Sequence, residues 1–196
     1  MKKLATTEVE IAPLIAERWS PRAFDPNFIM DDNSVKSILE AARWAPSCFG
    51  DQPWKFIIFQ KKDSVSWVNA LNCLSVGNQN WAMDTSLLIC VCANKNFKHN
   101  NNENKWAKYD TGAASENICL QSTYMGLAAH QMGGFDSEKI RNLANIPVEF
   151  DVISFIAIGK PLSKDMMTND QAEEEGASRK RLQLSEIYFE NKWDNL

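Results

Sequence analysis

The chain has 196 residues, 44% of them hydrophobic and 23% charged, with a formal net charge of -4. This length and apolar share suffice for one domain with a sizeable core, spanning residues 1–196. Acidic and basic residues are interspersed, so no polybasic face points to nucleic acid and no basic amphipathic segment points to a membrane surface.

In chain order, the opening "MKKLATTEVEIAP" has two lysines but no apolar leader core, and no apolar run approaches the roughly 18 residues of a membrane span. A cytoplasmic location is expected. Val9, Ile11, Leu14 and Ile15 predict a short amphipathic helix from residue 9 to about Arg18. From an N-cap at Asp31 or Asp32, the set Val35, Ile38, Leu39 and Ala42 predicts a second helix, stopped by Pro46. "WKFIIFQ" (54–60) and "SLLICVC" (86–92) read as buried strands, with a helix over 63–72 between them. The Asn-rich stretch 94–104 reads as a solvated loop. Residues 105 to about 129 carry the longest helical pattern, a core helix with His130 at its end. Asp136 is expected to cap a short helix through Leu143, and "VISFIAIG" (152–159) is a third core strand. "TNDQAEEEGASRKRLQ" reads as an exposed polar linker. The last segment, "LSEIYFENKW", is apolar enough to need a covering surface, for which a partner subunit is one candidate.

The five cysteines, Cys48, Cys73, Cys90, Cys92 and Cys119, are odd in number and form no C-x-x-C pair, so reduced thiols are expected. His99 and His130 have no second ligand at metal-binding spacing, and no metal site is expected. No dinucleotide-binding glycine fingerprint, Walker loop, serine elbow or zinc-protease motif occurs.

Four stretches carry chemistry. In "RWSPRAFDP" (18–26), Pro21 forces extended backbone on which Arg18, Ser20 and Arg22 alternate, a grip for phosphate or for ring carbonyls. "PSCFGDQPWKF" (46–56) spends eleven residues on one corner between helix and strand. "QMGGFD" (131–136) lets backbone N–H groups approach a flat ligand just before a helix start. "SRKRL" (178–182) concentrates three bases after an acidic run.

Taken in order, "ERWSPRAFDP", "ILEAARWAPSCFGDQPWKFIIF", "GAASENICLQSTYMGLAAHQMGGFD", "IAIGKP" and "SRKRLQLSEIYFENKW" resemble successive blocks of the FMN-dependent nitroreductase family, from about residue 16 to 193. The resemblance implies an α+β fold: a three-layer α/β/α arrangement with a mixed, mostly antiparallel sheet, in an intertwined homodimer with FMN at the subunit interface. It implies that the tail from about 183 to 196 packs on the partner. Arg18, Trp19, Ser20 and Arg22 match the N-terminal flavin-binding segment, with Arg18 toward the phosphate and Arg22 near the N1/O2 edge of the ring, where a cation stabilises the anionic reduced flavin. Pro46, Ser47 and Cys48 match the corner that reaches the flavin of the other subunit. Asn78 matches an amide on the pyrimidine ring, Met132, Gly133 and Gly134 match the loop whose N–H groups address N5 and O4, and Arg179 and Arg181 match the basic pair on the phosphate.

The family corner commonly reads Ser-Ser-x-Asn-x-Gln-Pro-Trp; here Cys48 replaces the second serine and Gly50 the asparagine. The activity implied is transfer of hydride from NADH or NADPH to FMN, then reduction of a small acceptor such as a nitroaromatic or quinone, by a ping-pong mechanism. The flavin carries the chemistry, so no side chain is assigned as catalytic acid or base. Alternatives are a flavin-storing or flavin-sensing protein without turnover, and a flavoenzyme dedicated to one metabolite. Phe49, Phe97 and Trp106 are candidates for setting acceptor and nucleotide preference.

Overall fold

The computed structural model describes residues 3–193, so the last three residues of the expected partner-packing tail lie outside the described residues. Helix α1 (Pro13–Glu17) is shorter than the predicted span, because Pro13 lacks an N–H and is tolerated at a helix start but not inside one. Val9 and Ile11 lie ahead of the helix, and Val9 is exposed. Helix α2 (Asp32–Arg43) forms as predicted: the Asp31 carboxylate accepts the Ser34 N–H at 2.9 Å, and Val35, Ile38 and Ala42 are buried.

Strand β1 (Trp54–Gln60) and helix α3 (Ser64–Leu71) follow the expected positions. Helix α4 (Val76–Ala82), which carries Asn78, is an element the sequence pattern did not announce. Strand β2 (Leu87–Asn94) leads through the Asn-rich loop to helix α5 (Ala107–Tyr124). The predicted helix to about 129 therefore ends five residues early. Gly126, at φ +73°, takes the left-handed turn that closes it, and the Leu127 N–H returns to the Ser122 carbonyl at 2.9 Å. Ala128–Met132 is instead strand β3, its helix-forming alanines overridden by pairing with a buried strand. His130 sits on this strand and not at a helix end.

Helix α6 (Ser137–Leu143) is capped by Asp136, which accepts the Lys139 N–H at 2.9 Å, and strand β4 (Phe150–Gly159) completes the sheet. The stretch read as a polar linker contains helix α7 (Asn169–Gly176). A reciprocal capping box starts it: the Thr168 hydroxyl accepts the Gln171 N–H, and the Gln171 amide oxygen accepts the Thr168 N–H.

The strand order is β1-β2-β4-β3, and every pairing among the described residues is antiparallel, the predominant sense expected. Because side chains alternate across a strand, β2 feeds two cores. Leu88, Cys90 and Cys92 pack with Trp67, Trp81 and Ile140 of α3, α4 and α6, while Leu87, Ile89 and Val91 pack with Ile38 and Ile118 of α2 and α5. The three-layer α/β/α arrangement follows. Strand β1, expected to be buried, is an edge strand in which only Trp54 and Phe59 are fully covered.

Helix α5 buries Ala107, Ala114, Ile118 and Cys119, the last three against the sheet and α2. Its buried face also carries the polar residues Asp110, Thr111, Ser115 and Ser122, and the last two satisfy their hydroxyls on carbonyls one turn back. Tyr109 and Tyr124 point outward, each more than three-quarters exposed. No helix among the described residues is long and apolar enough to cross a membrane.

Candidate functional site

The segment after α1 and the segment carrying α7 come together although more than 150 residues separate them. Glu175, near the end of α7, is 3% exposed, and its Oε1 accepts the backbone N–H groups of Arg22 at 2.6 Å and Ala23 at 3.0 Å. Its backbone carbonyl accepts from Lys3 Nζ at 2.7 Å. From the residues following α7, the Arg179 guanidinium donates to three carbonyls, those of Lys3 (3.0 Å), Ala16 (2.8 Å) and Arg18 (2.8 Å). A planar fork with donors in fixed directions suits that task where an ammonium would not.

Between these segments lies a cavity of about 290 Å³, at the small end of the usual ~300–1,000 Å³ of ligand sites. Its walls carry five cations, Lys3, Arg18, Arg22, Arg179 and Arg181, against two carboxylates, Glu174 and Glu175, with Trp19, Ser20 and His130 completing the lining. Arg18 reaches Glu116 at 3.4 Å and the Ser20 hydroxyl at 3.4 Å. Arg22 is ion-paired to Glu174 with both side chains about half exposed. Lys3 stands 4.7 Å over the Trp19 ring. Among the described residues Arg181 bonds only the adjacent Lys180 carbonyl, at 2.7 Å, with most of its donors directed elsewhere. The field is positive and the donors converge, an arrangement that holds an anion.

Six of the predicted site residues, Arg18, Trp19, Ser20, Arg22, Arg179 and Arg181, thus share one cavity. Arg179, however, spends its donors on the backbone and shapes the wall. The glycine loop lies close by, directly after β3, which brings His130 to the cavity. The Met132 side chain is in the core. Among the described residues neither the Gly133 nor the Gly134 N–H finds an acceptor. Gly134 packs against α4: a Cβ there would meet Ser75 Oγ at 2.8 Å and Asn78 Nδ2 at 2.9 Å. Asn78 donates to the Gly134 carbonyl at 2.9 Å, so its amide positions this loop within the chain. Gly133, by contrast, has open space before it.

Pro46, Ser47 and Cys48 are not in the cavity. Their corner is held by other means. The Cys48 N–H donates to buried Asp110 at 2.9 Å, the Gln52 N–H to Ser47 Oγ at 3.0 Å, and the Lys98 N–H to buried Asp51 at 2.9 Å. Phe49 (φ +53°), Gly50 (φ +66°) and Gln52 (φ +50°) all take left-handed backbone. Glycine adopts it most readily, which suits Gly50 to the middle of this turn. The Phe49 ring projects outward, 84% exposed, and meets Phe97 and His99 edge-on.

Sequence reasoning missed Lys3, Glu174 and Glu175, and placed His130 at a helix end, where capping is the commoner role. The T-x-x-Q spacing at Thr168–Gln171 was the legible sign that a helix, and hence a buried face, lay in the supposed linker.

The nitroreductase family matches this chain over residues 15–71 and 68–160. The chain belongs to the nitroreductase family. A solved structure described as an oxidoreductase containing FMN superposes with a TM-score of 0.89 at 34% identity, covering 97% of this chain and 96% of that one. An oxygen-insensitive NADPH nitroreductase of Helicobacter acinonychis is 25% identical over 182 residues, covering 75% of this chain and 85% of its own length. Protein DrgA of Synechocystis is 26% identical over 175 residues, covering 74% of this chain and 81% of its own length. The nitroreductase match stops at Lys160, so α7 and Arg179 and Arg181, which close the cavity, lie beyond it. The donor set of the cavity, with Arg18, Arg22 and Arg181 convergent and two free glycine N–H groups nearby, fits the phosphate and the polar edge of an FMN.

Proposed function

We propose that this chain is an FMN-dependent oxidoreductase that takes reducing equivalents from NADH or NADPH and passes them to a small electron acceptor, a nitroaromatic or quinone, in a ping-pong cycle. The observation that carries the reading is the electropositive cavity in which the two arginines flanking Pro21 meet the basic residues that follow α7. When bound, FMN supplies the hydride and electron chemistry; the protein supplies grip, orientation and charge.

Arg18 and Arg181 hold the phosphate. Arg22 stands at the ring's N1/O2 edge, where its charge favours the reduced anion, with Trp19 and Ser20 completing the segment. The free N–H groups of Gly133 and Gly134 hold the opposite polar edge, and Asn78 keeps that loop in place through the Gly134 carbonyl.

A second copy of the chain covers the remainder of the flavin, with the Pro46–Cys48 corner as the contribution across the interface. The outward-facing Trp44, Phe49, Tyr109 and Tyr124, and the tail's Ile187, Tyr188 and Trp193, support this reading as apolar surface that a dimer would bury. The expected location is the cytoplasm, where thiols such as the five free cysteines stay reduced.

The test is an absorption spectrum of the purified protein followed anaerobically by NADH and then NADPH, with sedimentation equilibrium on the same sample. A flavin spectrum that bleaches with either nucleotide, on a dimer, is the expected result. A bound flavin that stays oxidised with both favours storage or sensing, and a protein that cannot be reconstituted with FMN overturns the proposal.

A further inference from the structure

His130 lines the cavity, yet the function proposed above gives it no role. Its Nδ1 lies 2.9 Å from the Pro21 carbonyl oxygen. A carbonyl can only accept, so Nδ1 carries the hydrogen, and in the neutral ring Nε2 is left as a lone-pair acceptor. The Trp81 ring covers the imidazole, centroids 4.5 Å apart and planes tilted by 31°, which holds the ring plane. Burial disfavours the imidazolium and the nearby charges of Arg22 and Arg18 act in the same direction, so the ring is neutral at pH 7 despite the opposing bond to Pro21.

Among the described residues no donor reaches Nε2, and it is not one of the atoms sealed off inside the protein. It is accessible, on a side chain that lines the cavity. The other acceptors are engaged or sealed: Glu174 pairs with Arg22, Glu175 Oε1 takes two backbone N–H groups while its unpartnered Oε2 is closed off inside the protein, and the Ser20 hydroxyl accepts from Arg18. A simple anion would satisfy the arginines and leave Nε2 unused. A ligand that carries hydroxyls beside its anionic group satisfies both.

Resting on the FMN reading, we infer that His130 Nε2 accepts a hydrogen bond from a ribityl hydroxyl of the cofactor and selects for the sugar-alcohol chain. The order along the wall supports this assignment. His130 holds Pro21, which lies between Arg18 on the phosphate side and Arg22 on the ring side, and the ribityl chain is what joins phosphate to ring in FMN.

The experiment compares the dissociation constants of FMN and of the three analogues lacking one ribityl hydroxyl each, 2′-, 3′- and 4′-deoxy-FMN, by flavin fluorescence. In His130→Asn the shorter amide N–H mimics Nδ1 and keeps the Pro21 contact but offers nothing at Nε2. The wild type binds one analogue about tenfold more weakly than FMN, the scale of one net hydrogen bond. His130→Asn binds FMN that much more weakly and no longer distinguishes it from the analogue. His130→Gln, whose amide oxygen reaches the Nε2 position, keeps the preference and serves if the Asn variant does not fold. Undiminished discrimination in His130→Asn, or equal binding of all four flavins by the wild type, overturns the assignment while leaving the FMN reading intact. A wild type that binds none of the four overturns both.

Discussion

The Glu175 carboxylate accepts the Arg22 backbone N–H at 2.6 Å across 153 residues of sequence. Through this bond and its companion to the Ala23 N–H, helix α7 sets where the Arg18–Arg22 segment runs, and so where two of the cavity's guanidiniums can point. Glu175→Ala leaves the buried Ala23 N–H and the part-buried Arg22 N–H without acceptors and is expected to cost about 2–3 kcal/mol. Urea unfolding measures this, and FMN retention should fall with it. Glu175→Gln keeps an acceptor oxygen and should recover much of the loss.

Glu174 pairs with the Arg22 side chain at the surface, so Glu174→Gln should leave stability within about 0.5 kcal/mol of wild type. Its effect should appear in the flavin. If Arg22 faces the ring as proposed, removing the negative charge beside it stabilises the reduced anion, and the midpoint potential of bound FMN should rise by about 20 mV, or ~1 kcal/mol for a two-electron couple. Spectroelectrochemistry decides the sign; an unchanged or lower potential would remove Arg22 from the ring edge.

The two arginines of "SRKRL" should separate. Arg179→Ala frees three backbone carbonyls from their clamp and should lower both stability, by about 2–3 kcal/mol, and FMN content. Among the described residues Arg181 bonds only its neighbour's carbonyl, so Arg181→Ala should unfold within about 0.5 kcal/mol of wild type yet weaken FMN binding about tenfold. Thermal melts of the apoproteins and flavin titrations together test the division; equal stability losses would refute it.

Acid should destabilise the fold through His130. Its folded pKa is depressed below the ordinary 6.5, chiefly by burial, so below pH 6.5 the unfolded chain binds a proton that the folded chain refuses. This contribution falls as pH drops from 6.5 toward the folded value and is flat above 6.5. Glu40, held down to about 2 by Arg43, titrates below that window, whereas Glu116, raised by its own burial, acts in the opposite direction. Melts of wild type and His130→Asn between pH 8 and 5 isolate the histidine: the difference between them should shrink or reverse on acidification. Parallel curves would show that the ring binds its proton equally well in the folded and unfolded chains, which refutes the depression.

Local chemistry made much of the scaffold readable in advance. Asp31 and Asp136 cap the helices they were expected to cap, and "WKFIIFQ" is strand β1 residue for residue, because caps and β-branched runs act over a few residues. The ordered blocks likewise pointed to the arginines, the glycine pair and the corner. What the sequence alone could not decide was every feature set by contact between distant segments. Ala128–Met132 has the composition of a helix and becomes a strand because a buried neighbour, β4, offers it hydrogen bonds. Two arginines two residues apart, Arg179 and Arg181, look equivalent until the carbonyls of Lys3, Ala16 and Arg18 claim one of them. Glu175 reads as one of three surface acids and is buried because its carboxylate replaces water for two backbone N–H groups that folding brings from the far end of the chain.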